Sequence, residues 1–133
     1  MHVLIVEGDE KLGEVWKAHL VRRGLKVRLE KEFKGALKAL RFFRPDVVVV
    51  DSTFEGAGAL SIADYTYFEL PESKVIFVTS DTFFSNGEMF SLTANGALTL
   101  GSRIPTADLA AIIEHYGARV KAAQNQPRLC GAV

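Results

Sequence analysis

The sequence predicts an α/β fold: a doubly wound, five-stranded parallel sheet in the order 2-1-3-4-5, with helices on both faces. Val3-Leu4-Ile5-Val6, Val47-Val48-Val49-Val50 and Val75-Ile76-Phe77-Val78 are unbroken apolar runs rich in β-branched residues, as strands buried on both faces of a parallel sheet require. Between these runs the hydrophobic spacing changes to the helical period. Strand and helix then alternate without an internal repeat or linker, and right-handed crossovers place helices on both sides.

The first strand is Val3-Leu4-Ile5-Val6. Leu12, Val15, Trp16, His19 and Leu20 give the first helix an apolar face, and Gly24 ends it. Leu25-Lys26-Val27-Arg28-Leu29 alternates, which reads as an edge strand with one wet face. Phe33, Ala36, Leu37 and Leu40 mark the second helix, and Pro45 stops the chain before the valine strand. A third helix is expected from near Ala59 to Leu70, closed by Pro71, with Tyr65, Tyr67 and Phe68 read as helix packing. The 81–95 segment should hold only a short or irregular helix, because Ser85-Asn86-Gly87 interrupts it. Its Phe83, Phe84 and Phe90, with the last strand and helix, are the expected partner surface. Ala97-Leu98-Thr99-Leu100 is the other edge strand. Leu109, Ile112, Ile113, Tyr116 and Val120 define the last helix, with Thr106 and Asp108 at its start. Residues 1–118 are therefore read as one domain and 119–133 as a flexible C-terminal extension.

The chain has 133 residues and a formal net charge of zero. No basic excess points to nucleic acid, and no apolar run approaches the roughly 20 residues of a membrane helix. Cys130 is the single cysteine, so no internal disulfide forms. The first residues lack the pattern of a signal peptide, and a cytoplasmic location is expected. The sequence leaves the oligomeric state open.

In a doubly wound sheet, function gathers at the carboxyl ends of the strands. Those ends carry Glu7-Gly8-Asp9, Asp51-Ser52-Thr53, Thr79-Ser80-Asp81 and Gly101-Ser102-Arg103. Asp51 follows four valines, so a buried strand delivers its carboxylate to the open edge of the sheet. A hydroxyl and a basic group on neighbouring strand ends, Thr79 and Arg103, are placed to contact phosphoryl oxygens. Other chemistries lack their signatures. Thr53 stands where a haloacid-dehalogenase-type phosphatase needs a second Asp, and no glycine-rich phosphate loop follows a strand. His2, His19 and His115 have no metal-ligand spacing, and no nucleophile elbow is present.

Over residues 1–118 the sequence resembles the receiver domains of bacterial two-component response regulators, the CheY-like group of flavodoxin-like folds. Leu4-Ile5-Val6-Glu7-Gly8-Asp9-Glu10-Lys11-Leu12 resembles the family's first strand and acidic pair, and Arg44-Pro45-Asp46-Val47-Val48-Val49-Val50-Asp51 its phospho-acceptor strand. Val75-Ile76-Phe77-Val78-Thr79-Ser80 is similar to the strand ending in the switch hydroxyl, and Asn95-Gly96-Ala97 to the Gly-Ala before the last strand. The resemblance implies a non-enzymatic signalling domain with Asp51 as phospho-acceptor and Thr79 and Arg103 at the phosphoryl oxygens. Its partners would be a histidine kinase, a phosphotransfer protein or a downstream target.

The departures from the family are specific. Gly8 stands where the second acidic residue usually binds Mg²⁺ directly, leaving Asp51, the Thr53 carbonyl, Glu7 through water and, if it swings in, Asp9. The other reading of Asp9 is as a cap of the first helix. Arg103 replaces the family's lysine, which is not a conservative exchange, and Ile104 separates it from Pro105, so a cis peptide there is in doubt. Leu100 takes the aromatic switch position and Glu55 that of a loop proline. The expectation is a pseudo-receiver in phosphorelay signalling with weak or absent Mg²⁺ binding and impaired phosphorylation. The alternative is a conventional receiver phosphorylated on Asp51 by a histidine kinase. Either is expected to act through protein contacts, with no attached output domain expected after the last helix.

Overall fold

The computed structural model describes residues 1–51, 58–79, 98–101 and 104–125. In chain order the elements are β1(His2–Val6), α1(Glu10–Arg22), β2(Lys26–Glu30), α2(Phe33–Phe42), β3(Val47–Asp51), α3(Gly58–Glu69), β4(Lys74–Thr79), β5(Leu98–Gly101) and α4(Thr106–Asn125). The strands form one sheet in the order β2-β1-β3-β4-β5, parallel throughout, as the apolar runs predict.

Every residue of the runs Val3–Val6, Val47–Val50 and Val75–Val78 is buried, and successive side chains enter opposite layers because a strand alternates with period two. Leu4, Val6, Val48, Val50, Val75 and Phe77 pack under α2 and α3, against Ala36, Leu40, Ile62 and Ala63. Val3, Ile5, Val47, Val49, Ile76 and Val78 pack under α1 and α4, against Trp16, Leu20, Leu109 and Ile113. β2 keeps one face partly wet, as its alternation predicts. Backbone and side-chain bonds also tie the amino end of the sheet. His2 N donates to Asp46 Oδ2 at 2.9 Å, Asp46 N to His2 O at 2.8 Å, and Lys74 N to Asp46 O at 3.0 Å.

Three local readings change. On α1 the buried stripe is Gly13, Trp16 and Leu20, whereas Val15 is 53% exposed. The helix is rotated so that Gly13 faces β2, where a Cβ would lie 2.8 Å from Leu29 Cδ1. Of the three α3 aromatics, Tyr65 packs against the core, whereas Tyr67 and Phe68 are 43% and 83% exposed. Lastly, α4 continues through the expected boundary at 118 to Asn125. The expected irregular helix at 81–95, with its three phenylalanines, lies outside the described residues.

Helices α1 and α2 end differently. Gly24 follows α1 at φ 88°, the left-handed region glycine enters freely. After α2, Arg44 takes φ 51° while its N–H donates to Ala39 O at 3.1 Å. A side chain at such a position costs roughly 1 kcal/mol. Arg44→Gly should therefore raise unfolding free energy by up to about 1 kcal/mol, less the backbone entropy glycine adds to the unfolded chain. Urea denaturation of the two proteins measures the difference.

Candidate functional site

Strand register brings the acidic residues together. Val6 pairs with Val50, so the next residues along the chain, Glu7 just past β1 and Asp51 at the end of β3, lie at the same level. Asp51 in turn pairs with Val78, and Thr79 with Gly101. Asp51 and the backbone of Thr79 thus stand on adjacent strands at the carboxyl edge, where the sequence places them. Thr53 and Arg103 lie outside the described residues. The Ile104–Pro105 peptide is trans.

Glu7 is only 2% exposed, the most deeply buried acid in the sheet's open end. Its N–H extends the ladder to β2, donating to Glu30 O at 3.2 Å. Its Oε1 accepts from Asp9 N at 3.0 Å, and its carboxyl is hydrogen-bonded to the Asp51 side chain. Burial pushes the Glu7 carboxyl up to about 7, against a partial offset from the Asp9 N–H. The hydrogen bond to Asp51 and the negative charges of Asp51 and Asp9 are smaller contributions to the same rise. With the two carboxyl groups in contact, Glu7 keeps its proton further toward neutrality than a free carboxyl does, and its O–H then donates to Asp51. The sequence reading placed Glu7 at the metal through water and had no signal for a proton held here, because the burial depends on the β1–β3 pairing.

Asp9 is the N-cap of α1, its Oδ1 accepting from Lys11 N at 3.0 Å and Leu12 N at 3.3 Å. Those are two of the orphan donors at the helix start. Gly8 is exposed, and a Cβ built on it meets nothing within 4 Å. Among the described residues no three His, Cys, Asp or Glu converge as a metal-holding group. Among the described residues, Glu7 and Asp51 are the carboxyl groups a divalent cation would meet here, while the Asp9 carboxylate is engaged as the cap of α1.

No family model matches the chain, and no curated protein matches it. Solved structures do. A CheY-like response-regulator receiver domain from Methanospirillum hungatei superposes with a TM-score of 0.80 at 18% identity, over 92% of this chain and 97% of that one. The receiver domain of a LuxO-type repressor protein from Vibrio parahaemolyticus gives 0.79 at 17%, over 92% and 94%. The response regulator TrrA from Thermotoga maritima, in a complex with Mg²⁺ and BeF, gives 0.70 at 18%, over 86% and 97%. This chain therefore has the fold of response-regulator receiver domains.

The raised Glu7 carboxyl fixes the sign of a pH effect. Between about pH 4.5 and about 7 the folded chain holds a proton that the unfolded chain has lost, so this group's contribution to stability falls as pH rises through that window. In metal-free buffer Glu7→Gln should match the parent near pH 4 and exceed it by about 1–2 kcal/mol at pH 8. Chemical denaturation at the two pH values measures it, and a variant weaker at pH 8 would contradict the proton held at Glu7.

Proposed function

We propose that this chain is a receiver-type signalling module that works through protein contacts, with Asp51 at the phospho-acceptor position and Mg²⁺-dependent phosphorylation impaired. The observation that carries this is the acidic end of the sheet. Asp51 meets a buried Glu7, Gly8 supplies no side chain, and the Asp9 carboxylate is engaged at the start of α1. A phosphoryl donor brings negative charge to Asp51, and transfer needs that charge neutralised while an Asp51 oxygen bonds to phosphorus. With no carboxylate at position 8 and Asp9 held at its cap, fewer groups hold the cation that would neutralise it. Any Mg²⁺ bound would be held weakly, by Glu7 and Asp51 with the Thr53 carbonyl.

The module is not an enzyme in this reading. Its partners are proteins, a histidine kinase, a phosphotransfer protein or a downstream target, rather than nucleic acid. Among the described residues no helix is long and apolar enough to cross a membrane, which accords with work in the cytoplasm. The second reading, a conventional receiver that takes a phosphoryl group from a histidine kinase, is kept by Asp51 itself. Its carboxylate stands at the sheet edge one strand from Thr79.

Gly8→Asp separates the two. Gly8 has open space around its Cβ position and lies outside the left-handed region that only Gly24 and Arg44 occupy among the described residues. The new carboxylate is therefore accommodated without strain and adds a direct oxygen ligand. Mg²⁺ affinity, followed by amide shifts, should rise at least about tenfold, or about 1.4 kcal/mol. Intact mass after acetyl phosphate and Mg²⁺ should show little adduct on the parent chain and more on the variant. Tight Mg²⁺ binding and full phosphorylation of the parent chain would favour the conventional receiver.

A further inference from the structure

Helices α2 and α3 lie side by side on one face of the sheet and share one core. Their outer surfaces carry opposite charge. The charged residues of α2, Lys34, Lys38 and Arg41, are all basic and exposed; those of α3, Asp64 and Glu69, are both acidic and exposed. Lys34, Lys38 and Arg41 fall at i, i+4 and i+7, and Ser61, Asp64 and Phe68 at i, i+3 and i+7, so each set forms a single stripe. Among the described residues Lys34, Lys38, Asp64 and Glu69 enter none of the ion pairs, which join Arg23 to Glu114, Arg28 to Glu30 and Lys31 to Glu10.

Each stripe also ends in an exposed ring. Phe42 is 77% exposed beneath the Arg41 guanidinium, and Phe68 stands edge-on to Tyr67 with centroids 6.0 Å apart. Phe42 is the last residue of α2 and Phe68 the next to last of α3, so both open rings stand at the carboxyl ends of their helices. The spacing repeats: Lys38 precedes Phe42 by four residues, and Asp64 precedes Phe68 by four. That is about 6 Å of helix in both cases, with the charge inverted.

We propose that this face binds a second copy of the chain. The two helices follow parallel strands and so run in the same direction. A two-fold axis along them lays α2 of one copy on α3 of the other. Lys38 then meets Asp64 of the second copy, and Phe42 stacks at the level of its Phe68. The same contacts form twice, as an isologous interface requires. The rings supply the burial. The charges fix the pairing, since like stripes would meet if α2 faced α2.

Sedimentation velocity at low salt, from about 1 μM to about 1 mM, tests this over the range where even a weak interface fills. The parent chain should dimerise with concentration, and added salt should weaken it. Phe68→Ser should weaken it at least about tenfold. Lys38→Glu and Asp64→Lys should each weaken it, and the two together should recover it. All three positions are solvent-facing, so circular dichroism should show the variants folded. A parent chain monomeric at about 1 mM overturns the proposal and leaves the face to a different protein. A dimer unmoved by Phe68→Ser, or a double variant that fails to recover, overturns it equally by placing the contact elsewhere.

Discussion

The pairing of β1 with β3, from Val3 opposite Val47 to Val6 opposite Val50, is the contact on which the rest of the molecule depends. Both strands are buried on both faces, so neither offers a polar position until it leaves the sheet. The first polar residues beyond the paired valines are Glu7 and Asp51, and register obliges them to emerge together. A slip of one residue would send every core side chain to the wrong layer, so the hydrophobic pattern that holds the sheet also holds the two acids at one height.

That closeness costs stability and creates the site's character. A carboxylate as buried as Glu7 is disfavoured, and a second carboxylate beside it compounds the penalty. Glu7 answers by retaining a proton toward neutrality and by accepting from the Asp9 N–H. Asp9 meanwhile answers a different need, the unpaired donors at the start of α1. The three acids of the open end therefore have distinct roles that composition alone would not distinguish.

The two layers flanking the sheet are unlike. Beneath α1 and α4 the space is filled by Trp16, Leu20, Leu109 and Ile113, and the Arg23–Glu114 ion pair bridges the two helices at 2.5 Å. Beneath α2 and α3 the packing relies on small residues, Ala36, Ala39, Ala59 and Ala63, which bring the helices close to the strands. Leu40, Ile62 and Leu70 fill the rest of that layer, with Phe33, Phe43 and Tyr65 packed against it. Tyr67 and Phe68 on α3 and Phe42 on α2 lie outside it.

The sequence by itself determined the strand order, the parallel sense and the helix positions, because unbroken valine runs and a change of period are properties of short windows. It also determined that Asp51 would stand at the sheet's carboxyl edge and that Asp9 could cap a helix. Tertiary structure alone decided which face of α1 turned inward. Gly13 rather than Val15 meets β2 because the Leu29 side chain occupies the space a Cβ would need. It alone decided that Tyr67 and Phe68 face outward, since the apolar residues of α3 do not gather on one side and its periodicity names no buried face. It alone placed the Glu7 carboxyl against Asp51, 44 residues away in the chain. Burial and charge contact are sums over neighbours from several elements, and no window of sequence contains those neighbours.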